Sequence, residues 1–181
     1  MLSFSLYGII MKQLNFFEEC LPSSVITKKG GIAWKLFIDG ASRRNPGQSG
    51  AGIYLFKDED QIYKKGFYLG IKTNNQAEYM ALLLGIFYAK KHISKDDTLY
   101  IFSDSELLVK HMKGEYKIKS VELKKLFDLA FVLLDQINYS FCHIVREYNS
   151  LADEMANAGI DKKIKVPLEF IKFLSAHDIS L

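Results

Sequence analysis

Apolar and polar positions fall into a regular pattern from Trp34 onward. WKLFID is an apolar run ending in Asp-Gly, RRNPG is turn chemistry, and GAGIYLF and QIYKKGFYLGI are extended segments rich in aromatic and β-branched residues. Strands joined this closely predict an antiparallel meander. Thr73 and Gln76 then form a capping box, and AEYMALLLGIFYAKKH continues as a helix of several turns. TLYIFS is a short continuous apolar run of the kind buried on both faces, and its place after a helix implies parallel pairing through a right-handed crossover. SELLVKHM and VELKKLFDLAFVLLDQI predict two more helices and NYSFCHIVRE a fifth strand. NSLADEMANAG predicts a helix capped by Asn149 and ended by Gly159. The predicted order is βββαβααβα. It describes an α/β fold whose five-stranded mixed sheet, three strands antiparallel and two parallel, is flanked by helices.

The ends are less informative. Residues 1–33 form an extension of unreadable role, with a short helix expected at LNFFEEC and a break at SSVITKKGG, and packing or disorder is expected there. Residues 34–161 carry the regular pattern. In the tail, 162–181, PLEFIKFLSAHDISL has helical spacing after Pro167 and is expected to pack on the core or on LNFFEE. The chain has 181 residues, 49% of them hydrophobic and 25% charged, so it suits one globular domain with a substantial core. A net charge of +3 excludes a histone-like polycation and leaves nucleic-acid affinity to the local placement of Lys and Arg. Cys20 and Cys142 are too few for a disulfide framework and lack zinc-site spacing. MLSFSLYGIIM lacks a basic start and a cleavage site. No apolar run approaches the roughly 20 residues that span a bilayer. A soluble, cytoplasmic protein without membrane attachment is expected.

Four acids stand in short, distinct motifs: Asp39 in LFIDGAS, Glu78 in TNNQAEYMA, Asp104 in YIFSDS and Asp153 in REYNSLADEMAN. Singly, Asp39 before Gly40 suits a turn, Asp104 before Ser105 a helix cap, and Asp153 the favourable field of a helix start. Glu78 is sharper, because its helical neighbours Ala77, Met80, Ala81 and Leu84 are apolar. Together the four suggest a metal site assembled from distant pieces. Two Mg²⁺ ions about 3.5–4 Å apart can activate water and stabilise the leaving oxygen in phosphodiester hydrolysis. Mg²⁺ prefers hard oxygen ligands, so Asp and Glu suit it. Clustered carboxylates also repel one another, which couples ionisation to metal binding.

These motifs resemble ribonuclease H type 1 over roughly Trp34 to Asp161, and the predicted element order is that family's fold. The resemblance implies an endoribonuclease that hydrolyses the RNA strand of RNA/DNA hybrids without sequence specificity. It implies 5′-phosphate and 3′-hydroxyl products and Mg²⁺, with Mn²⁺ as a substitute. Asp39 would bridge two ions, Glu78 and Asp104 would complete one side, and Asp153 would hold the second more loosely. Gly40, Ser42, Asn45, Thr73, Asn74 and Asn75 match positions that touch the substrate near the cut, Thr73 lying near a DNA phosphate. Lys117 and Lys119, in a cluster with Lys110, His111, Lys113 and Tyr116, offer a basic surface for the DNA strand. A monomer is expected.

Three features depart from the family pattern. No protruding basic helix is inserted after the Asp104 helix, since GEYKIKSVELKKL runs directly onward. Glu106 stands where Gln is usual, and the loop before Asp153 has no His, so that either Arg146 or Glu147 substitutes or turnover is slower. His143 is not taken as a replacement, because alternation in YSFCHIVRE places it on a strand, where a core imidazole is the commoner outcome. The alternative left open is a hybrid-binding protein of weak or absent catalysis.

Overall fold

The computed structural model describes residues 31–181. Expectations for residues 1–30, including the LNFFEEC helix, lie outside them. The described elements are β1 (Ala33–Ser42), β2 (Gly47–Lys57), β3 (Asp60–Lys72), α1 (Asn74–Ala89), β4 (Thr98–Ser103), α2 (Glu106–Met112), α3 (Val121–Leu134), β5 (Asn138–His143), a 3₁₀ turn at Arg146–Tyr148, α4 (Ser150–Lys162) and α5 (Leu168–Ser175). The five strands form one sheet in the order β3-β2-β1-β4-β5. β1–β2 and β2–β3 pair antiparallel, whereas β1–β4 and β4–β5 pair parallel. This is the expected mixed sheet, with α5 added behind Pro167.

Alternation along β1 divides its side chains between two faces. Leu36 and Ile38 enter the larger core, built with α1, α2, α3 and α5. Phe37 enters a smaller aromatic core with Tyr54, Phe56, Tyr100 and Phe102, covered by Leu151 and Ala152 of α4. α1 is buried around most of its circumference, which explains its nearly uniform apolar sequence. Its start is the expected capping box: the Thr73 hydroxyl accepts from the Gln76 amide and the Gln76 side chain accepts from the Thr73 amide. The tail meets the core through α5, whose Phe170 and Leu174 are buried and whose Phe170 and Phe173 rings contact Phe87 of α1.

The helices of AEYMALLLGIFYAKKH and VELKKLFDLAFVLLDQI end a turn early, at Ala89 and Leu134, and two further boundaries differ from expectation. Gly159 does not end α4, which continues to Lys162 and terminates at Lys163 in the left-handed region. Gly159 is needed inside the helix because a Cβ there would lie 2.6 Å from the Phe67 nitrogen of β3. β5 stops at His143, after which the chain turns through Arg146–Tyr148 toward α4. His143 is accordingly exposed rather than in the core, and its Nε2 lies 3.3 Å from the Asp104 carbonyl oxygen.

Candidate functional site

The parallel pairing of β1 with β4 places Phe37 opposite Phe102. Two residues further along each strand direction come Asp39 and Asp104, so the two carboxylates leave adjacent strands side by side. Asp39 lies inside β1 and is buried, which rules out the turn reading. Asp104 caps nothing; the cap of α2 is Ser105, whose hydroxyl accepts from the Leu108 amide. Glu78 sits one turn into α1 and is 6% exposed. Its Oε2 accepts from the Gly40 amide at 3.1 Å. Gly40 permits this, since a Cβ there would lie 2.1 Å from the Glu78 nitrogen. Asp153, in the first turn of α4, accepts from Arg146 at 2.8 Å and from the Asn157 amide group at 3.2 Å.

Asn149, expected to cap α4, makes no side-chain cap. Its amide group points inward and donates to Asp104 Oδ1 at 2.6 Å and to the Ile38 carbonyl at 2.8 Å. A sequence pattern shows only that Asn suits a helix start; these acceptors come from strands far away in the chain.

The electrostatics mark the four acids as neighbours. Burial pushes the Asp39 carboxyl up to about 7, with the charges of Asp104 and Asp153 adding to it and Arg146 and the Gly40 amide opposing. Glu78 is raised well above the usual carboxylate range by burial and then by Asp39 and Asp104. Such groups gain from a nearby cation. Arg146 supplies a peripheral one, and its own proton is held more firmly by its hydrogen bond to Asp153.

Among the described residues, no group of three or more His, Cys, Asp or Glu side chains is arranged to hold a metal ion. Mg²⁺ needs no such cage, because it commonly takes one or two carboxylates and completes its shell with water and substrate phosphate oxygens. An all-carboxylate set with two acids raised by burial and by neighbouring carboxylates fits that ion and does not fit a soft metal.

The expected substrate residues gather on one rim. Asn45 Oδ1 accepts from the Asn74 amide at 3.0 Å, tying the β1–β2 turn to the start of α1. Ser42 donates to the Lys72 carbonyl at 3.0 Å, Thr73 is engaged in the capping box, and Asn74 and Asn75 are exposed. Lys117 and Lys119 line a groove of about 460 Å³ with Leu107, His111, Tyr116 and Leu123, and none of the rim residues belongs to it. Glu106 does not present a bare negative charge, because it pairs with Lys110 at 2.6 Å.

A family described as reverse transcriptase-like matches residues 37–159. Ribonuclease HI of Halobacterium salinarum is 34% identical over 141 residues, covering 77% of this chain and 70% of that protein. This chain belongs to the ribonuclease HI family. Ribonuclease H of Pseudomonas putida is 31% identical over 144 residues, 71% of this chain and 93% of that protein. A bifunctional protein of Mycobacterium tuberculosis is 34% identical over 128 residues, and there the chain spans about a third of the relative's length (34%). The crystal structure of the H. salinarum ribonuclease H1 matches with a TM-score of 0.67 at 31% identity, over 74% of this chain and 99% of that one. LC11 ribonuclease H1 in complex with an RNA/DNA hybrid matches with a TM-score of 0.64 at 33% identity, over 71% of this chain and 97% of that one. Family membership and the ribonuclease H fold thus agree. No helix among the described residues is long and apolar enough to cross a membrane.

Proposed function

We propose that this chain is an endoribonuclease that hydrolyses the RNA strand of RNA/DNA hybrids without sequence preference, using Mg²⁺, for which Mn²⁺ substitutes. The observation that carries this reading is the side-by-side placement of Asp39 and Asp104 on adjacent strands, with Glu78 held against Gly40 beside them. It is supported by the raised carboxyls of Asp39, on which Asp104 and Asp153 act, and of Glu78, on which Asp39 and Asp104 act. Membership in a family with a relative crystallised on an RNA/DNA hybrid supports the substrate class.

Asp39, Glu78, Asp104 and Asp153 would hold the ions. Bound ions supply an activated water and charge stabilisation for the leaving oxygen. Within the chain, the Gly40 amide fixes Glu78 against β1, and Arg146 offsets part of the negative charge at the rim. Hydrolysis breaks the P–O3′ bond and adds water across it, leaving a 5′-phosphate and a 3′-hydroxyl. Only the RNA strand offers 2′-hydroxyls, which suit short polar groups reading a minor groove. Gly40, Ser42, Asn45, Thr73, Asn74 and Asn75 provide that rim, and the Lys117–Lys119 groove receives the DNA strand. A hybrid-binding protein without turnover loses one of its grounds, because Lys110 balances Glu106.

The test is cleavage of an end-labelled hybrid beside duplex RNA, duplex DNA and single-stranded RNA. Cutting confined to the RNA of the hybrid, with 5′-phosphate ends, is expected. Binding of the hybrid without cutting in Mg²⁺ or Mn²⁺ would overturn the enzymatic reading.

A further inference from the structure

The geometry points to Asn149 as a positioning residue that holds Asp104 and the end of β1 in their working arrangement. This inference rests on the proposed nuclease reading. Asn149 is fully buried, and the two hydrogens of its amide group serve two acceptors, Asp104 Oδ1 at 2.6 Å and the Ile38 carbonyl at 2.8 Å. Ile38 precedes Asp39. The Asn149 backbone carbonyl accepts from the Asp153 amide at 3.1 Å. One residue therefore touches the segments that carry Asp39, Asp104 and Asp153.

The orientation of the amide follows from its surroundings. Turned over, its oxygen would face a carbonyl and a carboxylate oxygen at hydrogen-bonding distance, where two acceptors repel. As placed, the Oδ1 atom is buried without a hydrogen-bond partner. An unsatisfied buried acceptor is costly, so the site retains Asn for the two bonds its nitrogen makes. A residue chosen only to start α4 would direct its oxygen to the helix amides, which Asn149 does not do. The donated hydrogen also ties one Asp104 oxygen in place, which limits the rotation of that carboxylate.

Three variants test this: Asn149→Ala, which removes both donors, Asn149→Ser, which restores one short donor, and Leu151→Ala, which removes a buried neighbour that has no polar contact with an acid. Steady-state cleavage of the hybrid gives kcat and KM, electron paramagnetic resonance of Mn²⁺ gives ion affinity without substrate, and thermal unfolding gives stability. Asn149→Ala should lower kcat on the order of 10- to 100-fold with KM within about twofold, the pattern of a lost transition-state arrangement. It should also weaken Mn²⁺ binding several-fold, and Asn149→Ser should recover part of both. Leu151→Ala should lower the unfolding midpoint while kcat and Mn²⁺ affinity stay within about twofold. If Asn149→Ala does not fold, the comparison of Asn149→Ser with Leu151→Ala decides by the same criteria. The inference is overturned if the Asn149 variants match wild type in kcat and Mn²⁺ affinity, or lose them only in parallel with Leu151→Ala. If the wild type itself cuts no hybrid, the nuclease reading fails, and the Mn²⁺ arm still decides whether Asn149 shapes the site.

Discussion

Gly40 donates its backbone amide to the Glu78 carboxylate at 3.1 Å, in an approach so close that a Cβ on Gly40 would lie 2.1 Å from the Glu78 nitrogen. Strand and helix backbones both resist displacement there. Gly40→Ala should therefore push α1 away from β1, costing about 1–3 kcal/mol of stability. It should lower cleavage by about 10²-fold, as a misplacement near 1 Å can. Chemical denaturation and cleavage rates measured on the same preparation check both. Unchanged cleavage would show that the Glu78 position is not critical.

The elevated Asp39 carboxyl predicts a stability cost that depends on pH. In the unfolded chain its value is near 3.8, and in the fold it is about 7. Below pH 3.8 both states hold the proton and no cost arises. Between these values the folded state holds the proton more strongly, so stability falls as pH rises, and above about 7 the loss is constant. At about 1.36 kcal/mol per unit the loss is roughly 4 kcal/mol. Measured in EDTA, Asp39→Asn should unfold at a higher temperature than wild type at about pH 8, and the difference should vanish near pH 4. A variant less stable than wild type at the higher pH would contradict the burial of a charge at Asp39.

Arg146 lowers the pKa values of both Asp39 and Glu78. Arg146→Gln removes that influence, so both carboxyls should need a higher pH to ionise. The acidic limb of the pH–rate profile should move upward relative to wild type. A limb that stays in place would separate Arg146 from the acids electrostatically.

Much of this arrangement was legible in the sequence because it rests on local chemistry. The capping box of Thr73 and Gln76, the turn at RRNPG and the apolar run TLYIFS each depend on near neighbours. The four acids stood out as motifs for the same reason, and the order of elements implied a parallel pairing for TLYIFS, but that its partner is β1, which joins Asp39 to Asp104, is seen only in the sheet. What was not legible depends on distant partners. Asn149 has the composition of a cap, yet its acceptors Ile38 and Asp104 lie 111 and 45 residues away in sequence. Gly159 has the composition of a helix stop, and only the approach of β3 shows why it sits inside α4. Strand alternation placed His143 inside, but β5 ends there and the ring emerges at its tip. The core also holds a latch that no motif announced: Asp97 accepts from the Ile32 amide, the Trp34 indole and the Ser94 amide, fixing the start of β1 beside β4.

Lys117 and Lys119 line a groove that includes none of Asp39, Glu78, Asp104 and Asp153. If they neutralise phosphates of the DNA strand, replacing both by Ala should make the dependence of log binding constant on log salt shallower by about 2, near one unit for each phosphate left unneutralised. The kcat at saturating hybrid should stay within about twofold. Fluorescence anisotropy of a labelled hybrid at several salt concentrations, in EDTA, measures the slope. An unchanged slope would move the DNA strand elsewhere.

The central claim is that the four carboxylates act as one metal-dependent hydrolytic site. Its most direct test is the rate of RNA cleavage in a labelled hybrid by wild type and Asp39→Asn, each in Mg²⁺ and in EDTA. Wild type should cut only with Mg²⁺, and Asp39→Asn should be slower on the order of 10³-fold or more, several kcal/mol at about 1.36 per tenfold. Cleavage that survives EDTA, or that persists in Asp39→Asn, would contradict the claim.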